Sequence, residues 1–321
     1  MRKILITAIG GDVTCAIIRC LLEDCKSDEL YGYDIQRYTP YMNFFSAVEV
    51  APRYTDQTYA EFMKNFIIKY HITHFIPVTE PEILIADANR EFFKEQGVKV
   101  LINNSETLRI CTSKYLTAES LKNRGIEVPK TFRALNYNGE LEFPFILKAD
   151  YGNGGASIHV IRDLMEWNEA EKHGMVCQQK VGTAEKEYTV GVFSDGNNVN
   201  SIILKRKLGL GYGNTSSGLS VEVFCCDIPE IKNIAEKIAK ALHIVGSINI
   251  QIREENGHYY VFEINARLSS TVGFRHKMGF KDAVWWLNMV DGPGGFPKFY
   301  SPVGARGVKV TDDRLVCGGY N

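Results

Sequence analysis

The sequence predicts an α/β fold that gives way to an α+β fold partway along the chain. Strand and amphipathic-helix patterns alternate over roughly the first 105 residues, which implies a parallel sheet covered by helices. After Thr112 the pattern changes to strands punctuated by Gly, Asn and Asp. The 321 residues also exceed what one compact core usually supports, so two units are expected.

Residues 3–7 form a first strand that runs into Gly10-Gly11, and Ala16, Ile17, Ile18, Leu21 and Leu22 give a short helix. A strand over 30–33 ends in Asp34, and Tyr59, Phe62, Met63, Phe66 and Ile67 mark an amphipathic helix. A strand over 74–78, a helix around 83–93 and a strand over 98–102 complete the alternation. Ligands gather at the carboxyl ends of parallel strands, where Thr79, Glu80 and Glu82 fall, so Glu80 is a candidate substrate residue. Gly10-Gly11-Asp12-Val13 lacks the G-x-G-x-x-G spacing of a dinucleotide site, which leaves Asp34 as weak evidence of ribose binding. Further on, a helix over 114–123 stops at Gly125, and Ile231, Ile234, Ile238, Ala241 and Leu242 form the buried stripe of a helix over 229–242.

An apolar content of 45% and a charged content of 23% are ordinary for a globular chain. The net charge of -1 supplies no global field for nucleic acid or an anionic membrane, so an anion must be held locally. The apolar run at the amino terminus is too short for a signal peptide, and no run approaches the ~20 residues of a membrane helix. The eight cysteines show no zinc-like spacing and are expected to be reduced packing thiols in a cytoplasmic protein.

Three segments carry chemistry. Residues 145–158 read as a strand, a glycine-rich loop (Gly152, Gly154, Gly155, Ala156) and a second strand from Ser157. The loop can bring backbone N–H groups to an anion, and Lys148 adds a point charge for phosphate. A plain turn is the alternative. In the second segment, the strand Val176-Cys177-Gln178-Gln179-Lys180-Val181 leads to a crossover against which an adenine could lie. Glu187 opens the following strand, either to accept from ribose hydroxyls or as an edge carboxylate in water.

The third segment pairs Asn249 and Gln251, alternating with isoleucines, with Glu263 and Asn265 across Asn256-Gly257. Tyr260, Phe262 and Ile264 are expected on the opposite, core-facing side. A regular two-residue turn would pair Gln251 with Phe262, so a metal shared by Gln251 and Glu263 requires an odd loop or a bulge. Beyond these, Lys205-Arg206-Lys207 before Gly209, Gly211 and Gly213, and Arg275 beside His276, are candidates to hold an acidic substrate; Lys205 and Arg206 equally suit a solvated edge.

Together these segments resemble the ATP-grasp proteins, nearest the carbamoyl-phosphate-synthase-like branch of carboxylate-amine ligases. The resemblance implies a pre-ATP-grasp parallel α/β domain over 1–111 and an ATP-grasp domain of two α+β subdomains. These would be a lid over 112–182 and a metal and phosphate subdomain over 183–295, followed by a tail over 296–321 with no motif. It further implies that Lys114 and Lys148 bind phosphates, that Gln179, Lys180 and Val181 border adenine, and that Glu187 binds ribose. Gln251, Glu263 and Asn265 would ligate one or two Mg2+ ions, with Mn2+ as a substitute, and Arg267 would stabilise the transferring phosphoryl group. Ser113 and Ala266 depart from the aspartate and proline usual in the family. The implied activity is ATP-dependent activation of a small carboxylate for attack by an amine, with a homodimer as one expected assembly. A non-catalytic ATP-binding regulator and a carbamoyl-phosphate-forming enzyme are the alternatives.

Overall fold

A computed structural model describes residues 1–152, 158–210, 216–292 and 294–310; side chains are described throughout these except at 210 and 216–219. By its contacts the chain forms two compact units. Met1–Asn103 and Arg267–Phe299 belong to the first, and Asn104–Ala266 and Tyr300–Lys309 to the second.

The chain opens with β1 (Lys3–Thr7), α1 (Asp12–Asp24), β2 (Glu29–Asp34) and β3 (Ala47–Val50). There follow α2 (Tyr59–Tyr70), β4 (His74–Ile76), α3 (Glu80–Ala88), α4 (Arg90–Glu95) and β5 (Lys99–Val100). These strands form the expected parallel sheet, in the order β3-β2-β1-β4-β5. The short, weakly apolar β3 left no sequence signal, and the single helix expected around 83–93 is two, broken at Asn89. Glu82 is spent on the fold: buried, it accepts from Thr7 Oγ1 (2.8 Å), Tyr59 Oη (2.8 Å) and Thr79 Oγ1 (2.6 Å), and from Thr79 N (3.1 Å), the bond that closes the capping box of α3. Asp34 likewise accepts from Gly10 N (2.8 Å) and Gln36 N (2.9 Å) and so organises the first loop.

The second unit begins with α5 (Ser105–Thr112), α6 (Lys114–Lys122), β6 (Thr131–Arg133), β7 (Phe145–Ala149), β8 (His159–Ile161), α7 (Leu164–Glu169) and β9 (Met175–Gln179). Its strands make an antiparallel sheet, β6-β9-β7-β8, whose core gathers Phe145, Leu147, Ile161 and Cys177. Next come β10 (Glu187–Asp195), β11 (Val199–Leu210), β12 (Ser216–Cys226), α8 (Pro229–Ala241), β13 (Val245–Glu255) and β14 (His258–Asn265). Helix α8 packs against β10 and β11 and buries Ile231, Ala235 and Ile238.

The chain then returns to the first unit with α9 (Val272–Lys277) and α10 (Asp282–Asp291), both packed on α1. Residues 267–299 thus group by contact with the first unit, whereas the expectation assigns those up to 295 to the metal and phosphate subdomain. Asp291 fixes this return by accepting from Arg2 (2.7 Å), His74 (2.9 Å) and Lys99 (2.5 Å) at the starts of β1, β4 and β5. The tail contributes β15 (Arg306–Val308), which completes the sheet β14-β13-β10-β11-β12-β15 in the second unit.

Candidate active site

The candidate site is built on the β13–β14 hairpin, at one edge of the six-stranded sheet. Asn256 (φ +52°) and Gly257 (φ +83°) form a tight two-residue turn that pairs Glu255 with His258. From Glu255 to Ile252 the pairing is regular. Between Ile252↔Val261 and Gln251↔Glu263 the register then shifts by one, leaving Phe262 as an extra residue. This is the bulge that the shared polar face required, and it corrects the expected alternation. Val261 and Ile264 are the buried residues, whereas Tyr260 and Phe262 are half-buried.

Register propagates the polar face across the sheet. Thr189 pairs with Gln251 and Gln251 with Glu263; Gly191 pairs with Asn249 and Asn249 with Asn265. The other face carries Val190, Ile250 and Ile264. A one-residue slip of β13 would move Ile248, Ile250 and Ile252 to the polar side at about 1.5–3 kcal/mol each, so the register is held by burial. Within the face, Asn265 Nδ2 donates to Glu263 Oε1 (3.1 Å), and Thr189 Oγ1 donates to Asn249 Oδ1 (2.7 Å).

Lys148 on β7 is buried, with its Nζ 5.8 Å from the centre of the Phe262 ring. Burial pulls its pKa down to about 8, against the attraction of Glu263, and Lys114 and Arg253 push it the same way. The Arg253 guanidinium lies 5.3 Å from the same ring. Lys114 Nζ donates to the carbonyls of Gly152 (2.9 Å) and Asp150 (3.3 Å) at the head of the glycine loop. The unit thus gathers Lys114, Lys148 and Arg253 with the carboxylates Glu263, Asp150 and Glu187, and its cations are local charges of the kind a polyanion would meet.

Two of these contributors went unread in the sequence. Arg253 continues the Asn249-Gln251-Arg253 alternation, and that periodicity could have found it. Asp150 accepts from Ser113 Oγ (2.9 Å) and Tyr115 N (2.9 Å) at the start of α6. It thereby supplies a carboxylate beside Ser113, where the family pattern has an aspartate in the chain itself.

Other expectations are corrected. Glu187 is 1% exposed on a strand flanked by β13 and β11. Its Oε1 is taken by Arg206 and its Oε2 by Arg253 (2.8 Å and 2.9 Å), so it is not an edge carboxylate in water. Arg206 is buried in that pair and also donates to Gln251 Oε1 (3.2 Å), so it is a framework residue and not a free substrate contact. Arg275 falls in the first unit, fully buried and paired with Asp282 (2.6 Å), with Ser269 and Thr271 filling its other donors. A core arginine fixed in this way does not face substrate.

Lys205, on the opposite face of β11 from Arg206, is exposed and lines a groove of about 530 Å³ with Glu185, Glu222 and Phe224. Gln179 Oε1 accepts from Lys130 N (3.3 Å), Lys180 is exposed and Val181 is buried. The connection after them is pressed onto β13: a Cβ on Gly182, whose φ is +54°, would lie 2.7 Å from the Glu254 carbonyl oxygen. Gly154, Gly155, Ala156 and Ser157, like Gly211 and Gly213, lie outside the described residues. Glu80 opens α3 in the first unit, and Arg267 also belongs there, its Nη1 donating to the Leu268 carbonyl (3.0 Å).

Gln251, Glu263 and Asn265 offer one carboxylate and two amide oxygens side by side. An oxygen-only set carrying one negative charge fits a hard divalent cation that keeps further positions for phosphate and water.

A parallel α/β unit followed by two antiparallel sheets, with a buried lysine set against a polar hairpin, defines a nucleotide-clamping class of protein. The chain belongs to the ATP-grasp family, whose ATP-grasp domain matches residues 111–271. Residues 4–101 match the PylC-like N-terminal domain. The carbamoyl phosphate synthase large chain, C-terminal section, of Aquifex aeolicus is 25% identical over 235 residues, covering 66% of this chain and 44% of that protein. The carbamoyl phosphate synthase large chain of Pseudothermotoga lettingae is 27% identical over 202 residues, covering 57% of this chain and 18% of its own. The chain therefore spans less than half the length of either relative.

Among solved structures, the L-amino acid ligase from Bacillus licheniformis superposes with a TM-score of 0.72 at 17% identity, covering 90% of this chain and 74% of that one. The N5-carboxyaminoimidazole ribonucleotide synthetase from Thermotoga maritima gives 0.66 at 18% identity, covering 88% and 76%. At such identities the likeness is one of fold. Among the described residues, no helix is long and apolar enough to cross a membrane.

Proposed function

We propose that this chain is an ATP- and Mg2+-dependent ligase that activates a small carboxylate as an acyl phosphate for attack by an amine. The observation that carries the reading is the bulged register, which sets Gln251 opposite Glu263 and beside Asn265, with buried Lys148 5.8 Å from the ring of the bulged Phe262. In this reading Lys114 and Lys148 hold phosphate oxygens, Gln179 to Val181 border the adenine, and Arg253 joins the phosphate cations. Gln251, Glu263 and Asn265 would hold Mg2+, which when bound lowers the negative charge on the phosphates, and Mn2+ is expected to replace it.

In the first step a carboxylate oxygen attacks the γ-phosphorus, the bond to the β–γ bridging oxygen breaks, and ADP leaves. The amine then forms a bond to the acyl carbon, phosphate leaves with its bridging oxygen, and the nitrogen gives up a proton. The residues contribute position and charge: Lys148 meets the γ-phosphate, and Arg267, two residues beyond Asn265, is assigned to the transferring group. Exposed Lys205 is the remaining candidate for an acidic substrate.

The test is ADP release across a panel of amino acids and small carboxylic acids. Stimulation by a carboxylate and amine pair is expected. ATP binding without stimulation by any pair would favour the non-catalytic regulator.

A further inference from the structure

In the first unit, the end of α1 and the end of α9 bring Glu23, Asp24 and His276 together. One ligand atom from each lies within 4.8 Å of the others. His276 is 3% exposed, and neither of its ring nitrogens has a hydrogen-bond partner. An unsatisfied buried polar group costs about 1–3 kcal/mol and calls for a reason.

The spacing supplies one. His276 Nε2 lies 3.5 Å from Asp24 Oδ2 and 3.9 Å from Glu23 Oε2. A hydrogen bond would draw such atoms to about 2.8 Å. Two ligand atoms each about 2.1 Å from a tetrahedral ion instead stand about 3.4 Å apart, which the Asp24 pair matches. We propose that Glu23, Asp24 and His276 form a binding site for a borderline divalent cation of the zinc type, which ties the returning segment to α1 and leaves a fourth position for water.

The charge supports this. The two carboxylates balance a divalent ion. Lys277 (2.5 Å from Glu23) and Lys281 (2.7 Å from Asp24) are the resident counter-ions. Both are solvent-accessible, at 71% and 38% side-chain exposure, and such pairs contribute little, so a divalent ion can displace them. Cys20, one turn back on α1, has a thiol pushed up to about 12 chiefly by burial and does not compete as a thiolate.

The test uses the full chain carrying Glu263→Ala, stripped with chelator and titrated with Zn2+ against a chromophoric chelator in excess Mg2+. One equivalent bound per chain is expected, with a raised unfolding midpoint and, for Co2+, the visible absorbance of tetrahedral coordination. Asp24→Asn and Glu23→Gln, both at the surface, should each weaken binding by at least the roughly 10–100-fold typical of outer-shell losses. Lys277→Gln should tighten it by removing a competitor. Absence of stoichiometric Zn2+ binding, or binding that Asp24→Asn and Glu23→Gln leave unchanged, overturns the site.

Discussion

Replacing Lys148 with Met should make the protein more stable and inactive at once. Lys148 is wholly buried, and its pKa falls from the ordinary 10.5 to about 8. At 1.36 kcal/mol for each pH unit, that drop means the protonated side chain costs the folded state about 3 kcal/mol, after its attraction to Glu263 is included. A methionine of similar length fills the space without the charge. The sign follows from a pKa that is lower in the folded state. Below pH 8 the penalty is fully present, and as pH rises the folded protein sheds the proton before the unfolded chain does. Wild type should therefore gain stability between about pH 8 and 10.5, where the variant does not.

Denaturant unfolding across this range measures the effect. The variant should exceed wild type by about 3 kcal/mol at pH 7, by about 1 kcal/mol near pH 9.5, and by nothing above about pH 10.5. ADP release should be lost throughout. A variant less stable than wild type by a pH-independent margin would refute the claim that Lys148 is held against a desolvation penalty for the sake of phosphate.

Further outcomes follow from the same face. Glu263→Ala should abolish ATP turnover while leaving the hairpin folded, and near-normal ADP production would remove Glu263 from the site. Glu187→Gln strips the charge that Arg206 and Arg253 share, so a loss of about 3–5 kcal/mol is expected in denaturant unfolding. An unchanged midpoint would show that the arginines find other partners. Gly182→Ala adds a Cβ 2.7 Å from the Glu254 carbonyl oxygen at a positive φ. A loss of about 1–3 kcal/mol is expected, again read by denaturant unfolding.

Much of the site was legible because strand periodicity is a local property. Asn249, Gln251, Glu263 and Asn265 could be put on shared faces from alternation alone, and the need for a bulge followed from counting across Asn256-Gly257. The bulge's location at Phe262 was not readable, since it depends on which isoleucines the rest of the sheet buries. Glu187 and Arg206 were misread for a related reason. A carboxylate opening a strand looks like an edge group until β13 and β11 flank it, and only then do its arginine partners appear, 19 and 66 positions away.

The sequence by itself determined the parallel α/β start, the antiparallel remainder and the polar strand faces that carry Asn249, Gln251, Glu263 and Asn265. Each of these rests on spacing within a strand, a helix or a turn. The tertiary structure alone decided that residues 267–299 return to the first unit, that Arg275 belongs to its core, and that β15 closes the larger sheet. It also brought Glu23, Asp24 and His276 together across some 250 residues of chain. These outcomes depend on buried charges finding partners far away in sequence, and local pattern does not encode such pairings.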